Sequence, residues 1–211
     1  MATTDGDELS LLRRAADGDA AAWEQLVEIT RDRLWRMIHL RLSRRVQGRV
    51  DEADVLQEAY LEIHRQLPAY AADPMLPFFL WVRHLTGLKL AELHRRHLGT
   101  QMRDAGQEIT LHRGGMPEAD SASLAAQLMG AFTSPSQAAL KAELRLQVQD
   151  ALNQMDPLDR EVLALKHFEQ LSTTEVAEVL GLSKSGAGHR YVKAVKHLRA
   201  LLEQIPGFTG L

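Results

Sequence analysis

An all-α protein of two small helical domains joined by a flexible linker is predicted by three observations. Apolar residues recur at steps of three and four along most of the chain. Capping residues and glycines punctuate those stripes where helices should start and stop. The stretch 99–135, interrupted by Gly99, Gly106, Gly114, Gly115, Pro117 and Pro135, separates two helical halves. A structureless loop that long is uncommon inside one compact domain, so it reads as an interdomain linker. The expected layout is a disordered polar tail at 1–8, a first domain at 9–98, the linker at 99–135, a second domain at 136–203 and a short tail at 204–211.

In the first domain, Leu9, Leu12, Ala15 and Ala16 share a helical face. After Gly18, Asp19 is a plausible cap for a second helix carrying Ala22, Trp23, Leu26, Val27, Thr30, Leu34 and Ile38. A basic run follows, from Arg41 to Arg49. Asp51 to Leu67 is a third amphipathic helix, with Val55, Leu56, Ala59, Tyr60, Ile63 and Leu67 inward. Pro68, Pro74 and Pro77 are expected to bracket a loop. Phe78 to His97 is a fourth helix, apolar at its start and basic at its end. Leu124 to Phe132 reads as a short helix within the linker.

In the second domain Leu140, Leu144, Val148, Ala151, Leu152 and Met155 form a stripe. Asp156-Pro157 stops one helix and starts the next, which carries Leu158, Val162, Leu165 and Phe168. Ser172-Thr173-Thr174-Glu175 is a capping box. The helix it opens is ended by Gly181, a residue that takes the left-handed conformation at little cost. Ser183 caps a last helix running to about Leu202. Between Glu178 and Glu203 there is no acid, while Lys184, Arg190, Lys193, Lys196 and Arg199 give that helix a formal charge of +5. A short helix, a glycine turn and a basic second helix fit a helix-turn-helix that enters a major groove. A solvated basic face is the bland alternative. The coincidence of cap, small Ala177, turn and one-sided charge favours DNA.

Bulk composition narrows the class. Hydrophobic residues make up 45%, charged residues 25% and aromatics 5% of the 211 positions, as in a globular protein poor in strands. There is no cysteine, so disulfides and thiolate metal sites are excluded. No apolar run approaches the roughly 18 residues that span a bilayer. The acidic start, Asp5-Gly6-Asp7-Glu8, is unlike a secretory signal, and a cytoplasmic location is expected. The net charge of -3 hides a strongly uneven distribution.

The segment Asp54-Val55-Leu56-Gln57-Glu58-Ala59-Tyr60-Leu61-Glu62-Ile63 resembles the D-x-x-Q-E-aromatic core-binding segment of bacterial sigma factors. Ala22-Trp23-Glu24-Gln25-Leu26-Val27 ahead of it, and Phe78-Phe79-Leu80-Trp81-Val82-Arg83 behind it, resemble flanking parts of the same domain. In the second half, Leu152, Met155, Pro157, Arg160 and Leu163 resemble the family's L-x-x-L-P-x-x-x-R-x-x-L helix. The layout is similar to the extracytoplasmic-function (ECF) group of the sigma-70 family. That resemblance implies a non-enzymatic initiation subunit with no cofactor, catalytic residue or metal. It implies core RNA polymerase (clamp and flap) and promoter DNA as partners, leaves room for an anti-sigma factor, and gives no role at a membrane. Asp54, Gln57, Glu58, Tyr60 and Glu62 would then bind the polymerase. Arg83, Lys89, Arg95 and Arg96 in the first domain, and Lys184, Ser185, His189, Arg190, Lys193 and Lys196 in the second, would contact DNA. The resemblance also gives the Tyr70–Pro77 loop the capture of a flipped base. The chain departs from the family pattern at Thr86-Gly87-Leu88-Lys89, which lacks the usual Asn. It departs again at Gly186-Ala187-Gly188-His189-Arg190, where only Arg190 matches.

Two rival readings are weaker. A metal site could use His94 and His97, with His84 and His112 as loose companions, but Arg95 and Arg96 beside them would repel a cation. Another class of helix-turn-helix regulator would carry an α/β receiver, and the first 98 residues show no strand-like runs.

Overall fold

The computed structural model describes residues 5–42, 50–98, 111–112, 116–130, 138–206 and 208. Its elements, in chain order, are α1 (Asp5–Ala16), α2 (Ala20–Arg41), α3 (Glu52–Ala72), α4 (Phe78–Leu98), β1 (Leu111–His112), β2 (Met116–Pro117), α5 (Ser121–Gly130), α6 (Ala138–Asn153), α7 (Pro157–Leu163), a π-helical stretch at Ala164–Phe168, α8 (Thr173–Leu180) and α9 (Lys184–Leu202). The all-helical class is as predicted; the only strands among the described residues are the two-residue pair β1–β2. The chain divides into two compact units. One comprises Met1–Ile38 and Leu42–Pro117, the other His39–Arg41 and Glu118–Leu211.

In the first unit the core is built from the apolar stripes of α1 to α4. Leu26, Leu34, Ile38, Val55, Ala59, Ile63, Val82 and Leu90 are fully buried there. Asp19 caps α2 by accepting from the backbone N–H groups of Ala21 (3.0 Å) and Ala22 (3.1 Å), and Arg14 holds its other oxygen at 2.6 Å. Those bonds keep its carboxyl below the usual range. Gly18, at φ +94°, supplies the left-handed residue that lets the chain turn between α1 and α2 on three residues. The first helix begins at Asp5, inside the stretch expected to be a disordered tail. Asp7 suits its positively polarised N-terminus.

One boundary differs for a clear reason. Pro68 does not open the loop; it lies inside α3, which continues to Ala72. A proline there forfeits a helical hydrogen bond and strains the turn before it. Burial of Leu67 and Tyr70 on either side outweighs this, and the Tyr70 hydroxyl donates to the Leu76 carbonyl at 2.7 Å. The loop is therefore only Asp73–Pro77. Tertiary packing decides such cases, where local propensity alone would break the helix.

The second unit is built around α5, α6, α7 and α9. Leu124, Ala125, Val148, Leu152, Ala164, Ala194 and Leu202 share its core with Leu40. The helix read at Leu124–Phe132 starts three residues earlier and ends at Gly130; Phe132 lies outside the described residues. Asp120 accounts for the earlier start, its carboxylate accepting from the Ser123 N–H at 3.0 Å. Asp156 caps α7 through the N–H groups of Leu158 and Asp159. Phe208, placed in the expected C-terminal tail, packs on this core.

Candidate polymerase and nucleic-acid interfaces

The helix-turn-helix follows from three local devices. Ser172 accepts from the Glu175 N–H at 3.2 Å while the Glu175 carboxylate accepts from the Ser172 N–H at 2.7 Å, so both ends of the capping box are made. Gly181 is left-handed, at φ +63°. Ser183 caps α9 by accepting from the Gly186 N–H at 3.0 Å. Ala187, Ala194, Leu198 and Leu202 form the buried face of α9. Lys184, Ser185, His189, Val192, Lys193 and Lys196 are exposed on the other. Among the predicted DNA contacts of this helix, Arg190 alone is only partly exposed, because it leans back toward Asp156 and Asp159. Val192, at 49% exposure, was not singled out by charge or polarity. Its position three residues beyond His189 on the same face was the available signal.

The two unusual glycines of α9 have different surroundings. A Cβ on Gly186 would meet the Ser183 hydroxyl at 3.0 Å and disturb the cap, whereas a Cβ on Gly188 would meet only Thr173 Cγ2, at 3.9 Å. Gly188→Ala should therefore raise the stability of the second unit by up to about 1 kcal/mol. Gly186→Ala should gain clearly less, as thermal melting of the two variants would show.

On α3, Asp54 and Gln57 are exposed, Glu58 and Glu62 half-exposed. Glu62 accepts from Arg65 and from Gln66, and these bonds hold its carboxyl down at about 2. Leu61 stands on the same face and is 66% exposed, an apolar residue off the buried stripe that the sequence reading passed over. Tyr60 points inward instead. Its hydroxyl donates to the Val27 carbonyl (3.1 Å) and meets the Thr30 hydroxyl (2.9 Å), its ring stands edge-on to Trp23, and burial pushes the phenol up to about 12. It braces α3 against α2.

The basic residues of α4 are not equivalent. Arg83 is buried at 3% exposure. Lys89 lies 2.9 Å from Glu92 and 3.7 Å from Glu58, and Arg96 also pairs with Glu92, at 2.6 Å. Arg95 is exposed. Gly87 is filled from outside: a Cβ there would lie 2.2 Å from Met116 Cε, so β2 packs directly on the helix at this point.

At the end of α3 a cavity of about 230 Å³ opens, lined by Gln66, Ala69, Tyr70, Asp73, Met75, Leu76 and Trp81. The Tyr70 and Trp81 rings are stacked at 4.2 Å and 14°. Met75 stands at its lip, 82% exposed. Of the histidines weighed as ligands, His94 is buried, and His112 and His97 have side chains outside the described set. Among the described residues no three His, Cys, Asp or Glu side chains converge to hold a metal, and no helix is long and apolar enough to cross a membrane.

A helix-turn-helix with a basic outer face, in a two-unit helical chain, defines a DNA-binding protein. The comparisons specify which. Residues 145–198 match the model of sigma-70 region 4. The ECF RNA polymerase sigma factor ShbA of Streptomyces griseus is 29% identical over 196 residues, covering 92% of this chain and 95% of its own. The ECF sigma factor SigW of Bacillus subtilis is 22% identical, over 92% of this chain and 96% of its own. The structure of CnrH in complex with the cytosolic domain of CnrY has the same fold, with a TM-score of 0.54 at 22% identity, covering 93% of this chain and 97% of that one. Over nearly its whole length the chain is similar to ECF sigma factors of the sigma-70 family, and residues 145–198 carry that family's region 4. It directs transcription initiation through RNA polymerase, carries its region 4 as a DNA-binding domain, and catalyses no reaction itself.

Proposed function

We propose that residues 9–98 dock on core polymerase and open the start-proximal promoter element, that 136–203 read the upstream element, and that 99–135 join them. The observation that carries this reading is the pairing of a basic helix-turn-helix with a separate aromatic-walled cavity at the end of α3. One surface suits duplex DNA and the other a single unstacked base. The face of Asp54, Gln57, Glu58 and Leu61 docks on the clamp of the largest subunit, with Leu61 as its apolar centre and the polar residues giving orientation. The flap engages the second unit. Arg95, with Lys89 and Arg96 behind it, follows the phosphates, which positions without specifying sequence. A cytoplasmic location goes with this role. An anti-sigma protein is proposed as a further partner, by extension from the CnrH complex. The test is run-off transcription with purified chain and core polymerase on a library of genomic fragments, with sequencing of the start sites. Starts sharing two spaced upstream elements are expected; starts no different from those of core polymerase alone would overturn the proposal.

A further inference from the structure

The formal charge of +5 on α9 is not what the helix presents to DNA. Arg199 pairs with Glu203 at 2.8 Å. Arg190 and Lys193 both reach back to Asp159, at 3.3 Å and 3.4 Å, and Arg190 also lies 3.5 Å from Asp156. Lys184 and Lys196 alone have no ion partner among the described residues. Asp159 is unusual in itself. It is 1% exposed, yet neither carboxylate oxygen accepts a hydrogen bond. The aspartate that caps a helix accepts the backbone N–H groups of its first turn. Here Asp156 fills that role, and the Asp159 charge is instead met by two cations of the DNA-facing helix. A buried charge that loses its partners is strongly disfavoured, so Arg190 and Lys193 are not released cheaply.

We propose that Asp159 is a positioning residue for promoter reading: it withholds Arg190 and Lys193 from DNA until α9 is seated in a groove that returns equivalent contacts. Loose phosphate encounters engage only Lys184 and Lys196. Non-specific affinity is thereby held down and discrimination between sites is raised. The inference rests on the reading of α9 as the DNA-contacting helix.

The test uses the full chain and a fluorescent mixed-sequence DNA duplex, with binding followed across a salt series. Each phosphate neutralised adds about 0.9 to the slope of log affinity against log salt. Asp159→Asn should steepen that slope by one to two units and tighten low-salt binding roughly tenfold, the size expected for two added contacts. Asp150→Asn removes the same charge from an exposed site that has no ion partner among the described residues, and should leave the slope unchanged. A purely structural role for Asp159 would weaken binding, not strengthen it. Should Asp159→Asn fail to fold, two lysine variants still decide. Lys193→Gln should change the slope by well under half a unit and Lys196→Gln by close to one. Equal losses from the two lysines, or an unchanged slope in a folded Asp159→Asn, would overturn the proposal. If Lys184→Gln and Lys196→Gln also leave binding untouched, the DNA-contacting reading of α9 fails instead.

Discussion

Arg41→Met should destabilise the second unit by about 3–5 kcal/mol, the range for removing one partner of a buried ion pair. The guanidinium is fully buried and bridges two acids, Glu161 and Glu169, each at 2.5 Å. Burial opposes its charge, but the two carboxylates outweigh burial and hold the group protonated, its pKa above the ordinary arginine value. Methionine fills much of the volume and removes the cation the two acids share. Among the described residues, Glu161 would keep only the long bond from the Ala119 N–H, at 3.4 Å. Urea unfolding followed through the second unit measures the loss. Adding Glu169→Gln to Arg41→Met should recover part of the stability, since it removes one of the negative charges left without a partner cation. A variant as stable as the parent at neutral pH would show that the cluster contributes nothing net.

Arg41 also marks where sequence reading stops. In the chain it opens a basic run and looks like any solvated arginine. Its partners lie 120 and 128 residues away, beyond any local pattern. What was legible was what local chemistry controls. The caps at Asp19, Asp156, Ser172 and Ser183, the turn at Gly181 and the buried stripes of α2 and α3 follow from short-range spacing. The candidate site was legible as a set of residue types on a helix face, not as a set of free charges. Arg190, Lys193 and Lys89 are all basic at helical positions off the buried stripes, but whether each is available depends on Asp159, Glu58 and Glu92 across other turns or other helices. Pro68 failed as a boundary because the packing of Tyr70 is a tertiary term. Leu61 could have been found, since it follows Gln57 and Glu58 at the spacing that defines their face.

Trp81→Ala should cut transcription from a duplex promoter by roughly tenfold to a hundredfold, as loss of about 1–3 kcal/mol of base–aromatic stacking would. The cavity at the end of α3 owes its shape to the stacked Tyr70 and Trp81 rings. Tyr70 is itself fixed by its bond to the Leu76 carbonyl, so the ring wall and the loop Asp73–Pro77 are held as one piece. Pulling a base from the duplex costs a few kcal/mol, which an aromatic wall and an enclosing loop must offset. On a template already open across the start-proximal element that cost is met beforehand. The Trp81→Ala deficit should therefore shrink to within a few-fold there, while core polymerase binding stays unchanged. Trp81→Phe keeps a ring against Tyr70 and should retain most of the duplex activity. The comparison separates base capture from stability, because a variant that merely folds poorly loses activity on both templates alike. Equal deficits on closed and open templates would assign Trp81 to the core of the first unit and leave base capture to other residues.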